Sequence, residues 1–124
     1  MKKIFLIILL LVGIGIQAQN KNAKTTMEVD GVCLMCKARI EKVSLKTKGV
    51  KSAVWNIETH ILSLIYDERK TDYKTIQTNI ANAGHDTEDI KATKEAYNSV
   101  DDCCRYRDEK VIDDHKKKDG GSHN

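Results

Sequence analysis

Apolar residues alternate with polar ones over Thr25–Asp30, with Met27 and Val29 sharing a side, and the spacing predicts a strand. From residue 36 to 48 the period lengthens: Cys36, Ile40, Val43 and Thr47 recur at helical spacing, and Gly49 supplies a stop. Alternation resumes over Val50–Ile57, where Ala53, Trp55 and Ile57 fall on one side. Glu58-Thr59-His60 is polar enough for a turn. Ile61–Tyr66 then reads as another strand, with Leu62, Leu64 and Tyr66 facing inward. A second helix begins after Thr71 or Asp72, both suitable N-caps, and carries Tyr73, Ile76, Ile80 and Ala83 on one stripe before Gly84. Asp86–Ala92 is a weak candidate for a last edge strand. The order β-α-β-β-α-β over residues 25–92 is the split βαβ, or ferredoxin-like, α+β arrangement. It places two helices on one face of a four-stranded antiparallel sheet. The expected core is Met27, Val29, Ile40, Val43, Trp55, Ile57, Leu62, Leu64, Ile76 and Ile80.

Outside this unit the patterning changes. Lys2 and Lys3 precede an unbroken apolar run, Ile4–Ile16, followed by Gln17-Ala18-Gln19. A basic start, a short apolar stretch and a small residue at the cut describe a signal peptide over residues 1–18. The run is shorter than the roughly 20 residues a membrane-spanning helix needs. The reading is therefore an exported, periplasmic or secreted protein, cleaved near Ala18 and without a stable membrane anchor. Residues 19–24 form a short linker. Residues 93–107 hold Tyr97, Val100, Cys103, Cys104 and Tyr106 and are read as a cysteine-containing extension. Residues 108–124 are a charged tail with little to bury, expected to be disordered. Formal charge drops from +3 to +1 when the leader's two lysines are removed, so nothing points to nucleic acid.

Chemistry concentrates in the cysteines. Cys33 and Cys36 stand two residues apart in Asp30-Gly31-Val32-Cys33-Leu34-Met35-Cys36, where the first strand hands over to the first helix. Two thiols at that spacing converge when the second sits in a helix's first turn. There the unpaired amides and the helix dipole favour a thiolate. Such a pair suits a soft ion of low coordination number, Cu(I) first. Zn(II) prefers four ligands, and this loop offers two. Cys103 and Cys104 could complete a three- or four-sulfur site if their segment folds back. The competing reading for an exported domain with four cysteines is two disulfides, with three possible pairings.

Several segments together resemble the heavy-metal-associated domain: Gly31–Val43 around the cysteines, Gly49-Val50-Lys51-Ser52-Ala53, Asn56-Ile57-Glu58-Thr59, Tyr66-Asp67 and Ala83-Gly84-His85. Domains of this family serve as metallochaperones and as metal-binding modules of copper-transporting ATPases and mercury-resistance proteins. The resemblance implies Cys33 and Cys36 as ligands and Cu(I) as cargo, with Zn(II) or Hg(II) as alternatives. It further implies exchange through shared thiolates with a metal-transporting membrane protein or another metal acceptor, by a monomer or a metal-bridged dimer, and no enzymatic activity. Two positions depart from the family pattern. The loop is one residue shorter than the usual Gly-Met-Thr-Cys, and its methionine, Met35, lies between the cysteines. His85 replaces the usual aromatic after the second helix, which makes it a candidate third ligand or a neighbour of the ligands. His60 falls in a turn expected at the opposite end, and His115 and His123 lie in the charged tail. A rival reading is a thiol-disulfide redox protein. In thioredoxin-like catalysts a cis-proline opposite the redox pair shapes the substrate groove, and this chain contains no proline. A disulfide-stapled adaptor without metal would keep the fold and discard the ion.

Overall fold

The computed structural model describes residues 19–120. The leader expected over residues 1–18, His123 and the last residues of the tail lie outside that range. Strand β1 (Ala23–Glu28) leads into helix α1 (Leu34–Lys46), followed by strands β2 (Val50–Trp55) and β3 (Ile61–Tyr66) and helix α2 (Tyr73–Asn82). A short helix α3 (Lys94–Asn98), a 3-10 turn (Asp102–Cys104) and helix α4 (Glu109–Gly120) complete the chain.

The sheet is antiparallel, in the order β1-β3-β2. Its register sets Met27 opposite Leu62 and Thr25 opposite Leu64 on one side, and Trp55 opposite Leu62 and Ala53 opposite Leu64 on the other. Because side chains alternate along a strand, this pairing aligns Met27, Ala53, Trp55, Leu62 and Leu64 on one buried face. Helix α1 packs over β2 and against α2, contributing fully buried Ile40 to the same core as Ile76 and Ile80 of α2. Helix α2 starts where the Asp72 carboxylate accepts from the Thr75 amide at 2.7 Å, which satisfies one of the helix's unpaired donors. Of the ten expected core residues, eight are buried. Val43 and Ile57 are half-buried and pack against the rest.

The expected fourth strand is absent among the described residues, and the sheet has three strands. Antiparallel to the end of β1, residues 86–92 contribute one isolated bridge, Val29 to Thr87. The cause lies in side chains that take over the backbone groups a ladder would need. The Thr87 hydroxyl donates to the Ile90 carbonyl and accepts from the Ile90 amide, closing a tight turn. The Asp86 carboxylate accepts from the Ala92 amide at 2.7 Å, and the Asp86 amide donates to the Tyr106 hydroxyl at 2.9 Å.

What occupies that edge is the C-terminal extension, and it packs closely. Tyr106 is buried, donates its hydroxyl to the Gly84 carbonyl at 2.7 Å, and stacks on the His85 ring at 5.4 Å between centroids. Arg107 donates to both Asp86 carboxylate oxygens and to the Ala92 carbonyl, with its guanidinium 4.3 Å above the Tyr97 ring centre. Val100 and Cys104 join the main core. Residues 109–120, expected to lack regular structure, continue as α4, tied back by His115, whose Nε2 donates to the Cys103 carbonyl at 3.0 Å.

Gly84 marks where domain and extension come closest. Its φ is +108°, and a Cβ there would lie 2.6 Å from both the Ala96 carbonyl oxygen and Val100 Cγ1. Gly84→Ala is therefore expected to lower the urea-unfolding free energy by about 1–3 kcal/mol, combining left-handed backbone strain with a clash against backbone. A midpoint unchanged from wild type contradicts this packing.

Candidate metal centre

The loop between β1 and α1 is shaped by a close approach. Gly31 lies under Trp55, and a Cβ at Gly31 would sit 3.0 Å from both the Trp55 ring and Cys36 Cβ. The indole N–H of Trp55 donates to the Val29 carbonyl at 3.0 Å, pinning the strand end from which the loop departs. The chain then reaches Cys33, the N-cap of α1, in extended conformation, with Cys36 in the first helical turn.

Four sulfurs meet at this point. Cys33 Sγ lies 3.3 Å from Cys36 Sγ, 3.1 Å from Cys104 Sγ and 3.8 Å from Cys103 Sγ. Cys103 and Cys104 Sγ are 4.0 Å apart, and Cys103 Sγ is 3.3 Å from the Met35 sulfur. All four cysteines are free thiols. Potential ligand atoms of Cys33, Cys103 and Cys104 all lie within 4.8 Å of one another. The loop pair is not exposed at a tip, as two-residue spacing on a strand-to-helix turn suggests. Cys36 and Cys104 are fully buried and Cys33 is 8% exposed, because the extension folds over them.

The electrostatics single out one sulfur. Burial resists ionisation of Cys33, but hydrogen bonding from the Cys104 thiol and the Cys36 amide, helped by the other thiols, outweighs it and lowers its pKa. Cys33 is the N-cap of α1, so its sulfur faces the unpaired first-turn amides, which favour a thiolate. For Cys36, Cys103 and Cys104 burial prevails and the pKa rises. The Cys104 thiol, with the Cys36 amide of the first turn, thus favours ionisation of the N-cap cysteine and not, as expected from the sequence, of the one within the first turn. The Arg39 guanidinium stands beside Cys104. Burial disfavours its charge, but Cys104 and Asp101 (2.8 Å) hold it protonated. Lys37 is engaged by Glu41 and the Trp55 carbonyl, so neither cation projects freely toward a partner.

His85 does not join the sulfur group among the described residues. It is fully buried, and its Nδ1 must carry the proton, because its partner at 2.8 Å is the Asp30 carbonyl, which can only accept. Its Nε2 makes no hydrogen bond. The ring links the cysteine loop, through Asp30, to the extension, through Tyr106. His60 also differs from expectation. The β2–β3 turn lies at the cysteine end, where His60 stacks on Trp55 at 5.5 Å and lines a groove with Val32, Leu34 and Ile112. Leu34 and Met35 are exposed beside this groove.

With this geometry in view, comparison with known proteins settles the family. A model of the heavy-metal-associated domain matches residues 26–86. Residues 26–86 form a heavy-metal-associated domain. A copper-exporting P-type ATPase of Staphylococcus haemolyticus is 36% identical over 66 residues, which is 52% of this chain and only 8% of that protein. Among solved structures, a CopZ metallochaperone aligns at 29% identity and a TM-score of 0.51, covering 52% of this chain and 98% of the chaperone. The water-soluble region of the P-type ATPase CopA from Bacillus subtilis aligns at 30% identity and a TM-score of 0.51, covering 57% of this chain and 47% of that one. The heavy-metal-associated match ends before α3, so Cys103 and Cys104 lie beyond it.

Burial pulls the His85 pKa from the ordinary 6.5 down to about 4. Between those values the unfolded chain holds a proton that the folded chain lacks, so stability falls as pH drops from 6.5 toward 4 and this contribution then levels off. The expected slope is about 1.4 kcal/mol per pH unit. His85→Gln should flatten it in urea titrations at pH 4.5 and 7; an equally steep loss in the variant contradicts the assignment.

Proposed function

We propose that this protein binds Cu(I) through Cys33 and Cys36 outside the cytoplasm, buffering the ion or handing it to a metal-transporting membrane protein, without catalysis. The observation that carries the reading is the free Cys33/Cys36 pair, 3.3 Å apart at the N-terminus of α1 on a heavy-metal-associated fold. A soft, polarisable ion prefers thiolate to the oxygen and nitrogen ligands that dominate elsewhere on the chain. Cys33, with its lowered pKa, is the first to present a thiolate, and binding displaces the proton of Cys36 to solvent.

Export rests on the leader read in the sequence. No helix among the described residues is long and apolar enough to cross a membrane. The exposed Leu34 and Met35 beside the site offer an apolar contact for an acceptor domain, and transfer proceeds as the acceptor's thiolates replace those of this chain one at a time. The copper-related relatives support Cu(I) as cargo, with Zn(II) and Hg(II) as alternatives for the same sulfurs.

The test is Cu(I) competition against a chromophoric chelator under anaerobic conditions. Cys33→Ser/Cys36→Ser should lose at least about 100-fold in Cu(I) affinity, beyond the loss that removal of an outer-shell partner produces. Both thiols are buried, so the variant is also expected to lose about 1–3 kcal/mol of stability by placing hydroxyls there, and folding is verified by circular dichroism. Full-affinity binding by the folded variant contradicts the proposal.

A further inference from the structure

We infer that the C-terminal extension completes the site, Cys103 and Cys104 joining Cys33 and Cys36 so that the protein also holds a divalent d10 ion of the zinc class in a sulfur-only cage. The inference rests on the preceding reading, in which Cys33 and Cys36 are ligands. It concerns residues beyond the matched family segment, which ends at residue 86.

A tetrahedral ion with metal–sulfur bonds near 2.3 Å needs its sulfurs about 3.8 Å apart, a trigonal one about 4.0 Å, and a linear one about 4.6 Å. The separations here are 3.1, 3.3, 3.8 and 4.0 Å. Those of Cys103 to Cys33 and to Cys104 match the tetrahedral and trigonal values, those of Cys33 to Cys104 and to Cys36 are about 0.5–0.7 Å shorter than the tetrahedral one and open as the ion enters, and all four are short of the linear one. A point equidistant from the sulfurs of Cys33, Cys103 and Cys104 lies about 2.1 Å from each, close to a metal–thiolate bond. Cys36 Sγ, 3.3 Å from Cys33 Sγ, lies outside the group formed by the other three and must close on the ion to supply the fourth sulfur.

Charge favours a divalent ion for the full set. Four thiolates around a monovalent ion leave a buried charge of −3, and around a divalent ion −2. The guanidinium beside Cys104, Arg39, reduces the latter to −1. Cu(I) is served by the loop pair alone. An ion that demands four ligands needs the extension.

The extension is placed to deliver them. Tyr106, two residues after Cys104, is held by the Gly84 carbonyl and the Asp86 amide, and the Cys103 carbonyl accepts from His115 of α4. With Asp101 paired to Arg39 ahead of them, the two thiols arrive on a segment anchored at both ends. Each ligating thiol gives its proton to solvent as the ion enters.

Zinc K-edge X-ray absorption on the reduced full chain, loaded with one equivalent of Zn(II), reads the sulfur count without any substitution. Four sulfurs at about 2.3 Å are expected; a shell in which nitrogen or oxygen takes one or more of the four positions overturns the inference while leaving the loop assignment intact. In parallel, Cys103→Ser/Cys104→Val, which retains an apolar side chain at the buried position, should lose Zn(II) affinity by more than about 100-fold. Zinc binding at wild-type strength by that variant overturns the inference. Loss of Cu(I) binding in Cys33→Ser/Cys36→Ser tests the underlying reading separately.

Discussion

Tyr106 is the contact on which the arrangement turns. Its hydroxyl bridges the Gly84 carbonyl and the Asp86 amide, and its ring stacks on His85. With both functions of the hydroxyl used, a buried phenol that would otherwise be costly becomes a specific fastener between two segments of the chain. Asp86 is held to Arg107 in the same place; burial opposes its ionisation, but that guanidinium and the Ala92 amide keep its pKa low. Because Cys104 is two residues from Tyr106, fastening the tyrosine brings the second pair of thiols over the first. The cysteine cluster is thus a consequence of how the extension docks as much as of the loop.

The same docking explains why the sheet stops at three strands. A fourth strand beside β1 would need the amides and carbonyls of residues 86–92. Those groups are occupied by Tyr106, by the Asp86 carboxylate and by the Thr87–Ile90 turn. One bridge to Val29 remains where a ladder was expected. The extension covers the edge that a longer strand would have covered, so the unsatisfied backbone is paired by other means.

The central fold was readable because its signals are local and periodic. The strand over Ile61–Tyr66 coincides with its alternation, and α2 begins after Asp72, the capping residue that its side-chain chemistry favours. The Cys33/Cys36 pair was readable for the same reason, as spacing at a strand-to-helix junction. The role of the extension was not, since Tyr106, Arg107 and His115 act through single long-range bonds that leave no period in the chain. His85 stood out by sequence as a possible ligand. The structure makes it instead a buried link, whose ring Nδ1 donates to the Asp30 carbonyl and whose Nε2 has no partner among the described residues. Nor could spacing show that Cys33, rather than Cys36, gains most from its surroundings, because the Cys104 thiol that helps lower its pKa comes from the far end of the chain.

A largely buried cluster of thiols is useful for binding a soft ion and vulnerable to oxidation, and the two fates leave different chemical traces. The most direct measurement is the metal content of the full chain isolated anaerobically, with thiols counted on the same sample after denaturation. The account predicts about one soft ion per chain and all four cysteines recovered as thiols once the ion is removed. Metal-free protein that takes up no copper or zinc, with its cysteines recovered as disulfides, would contradict it.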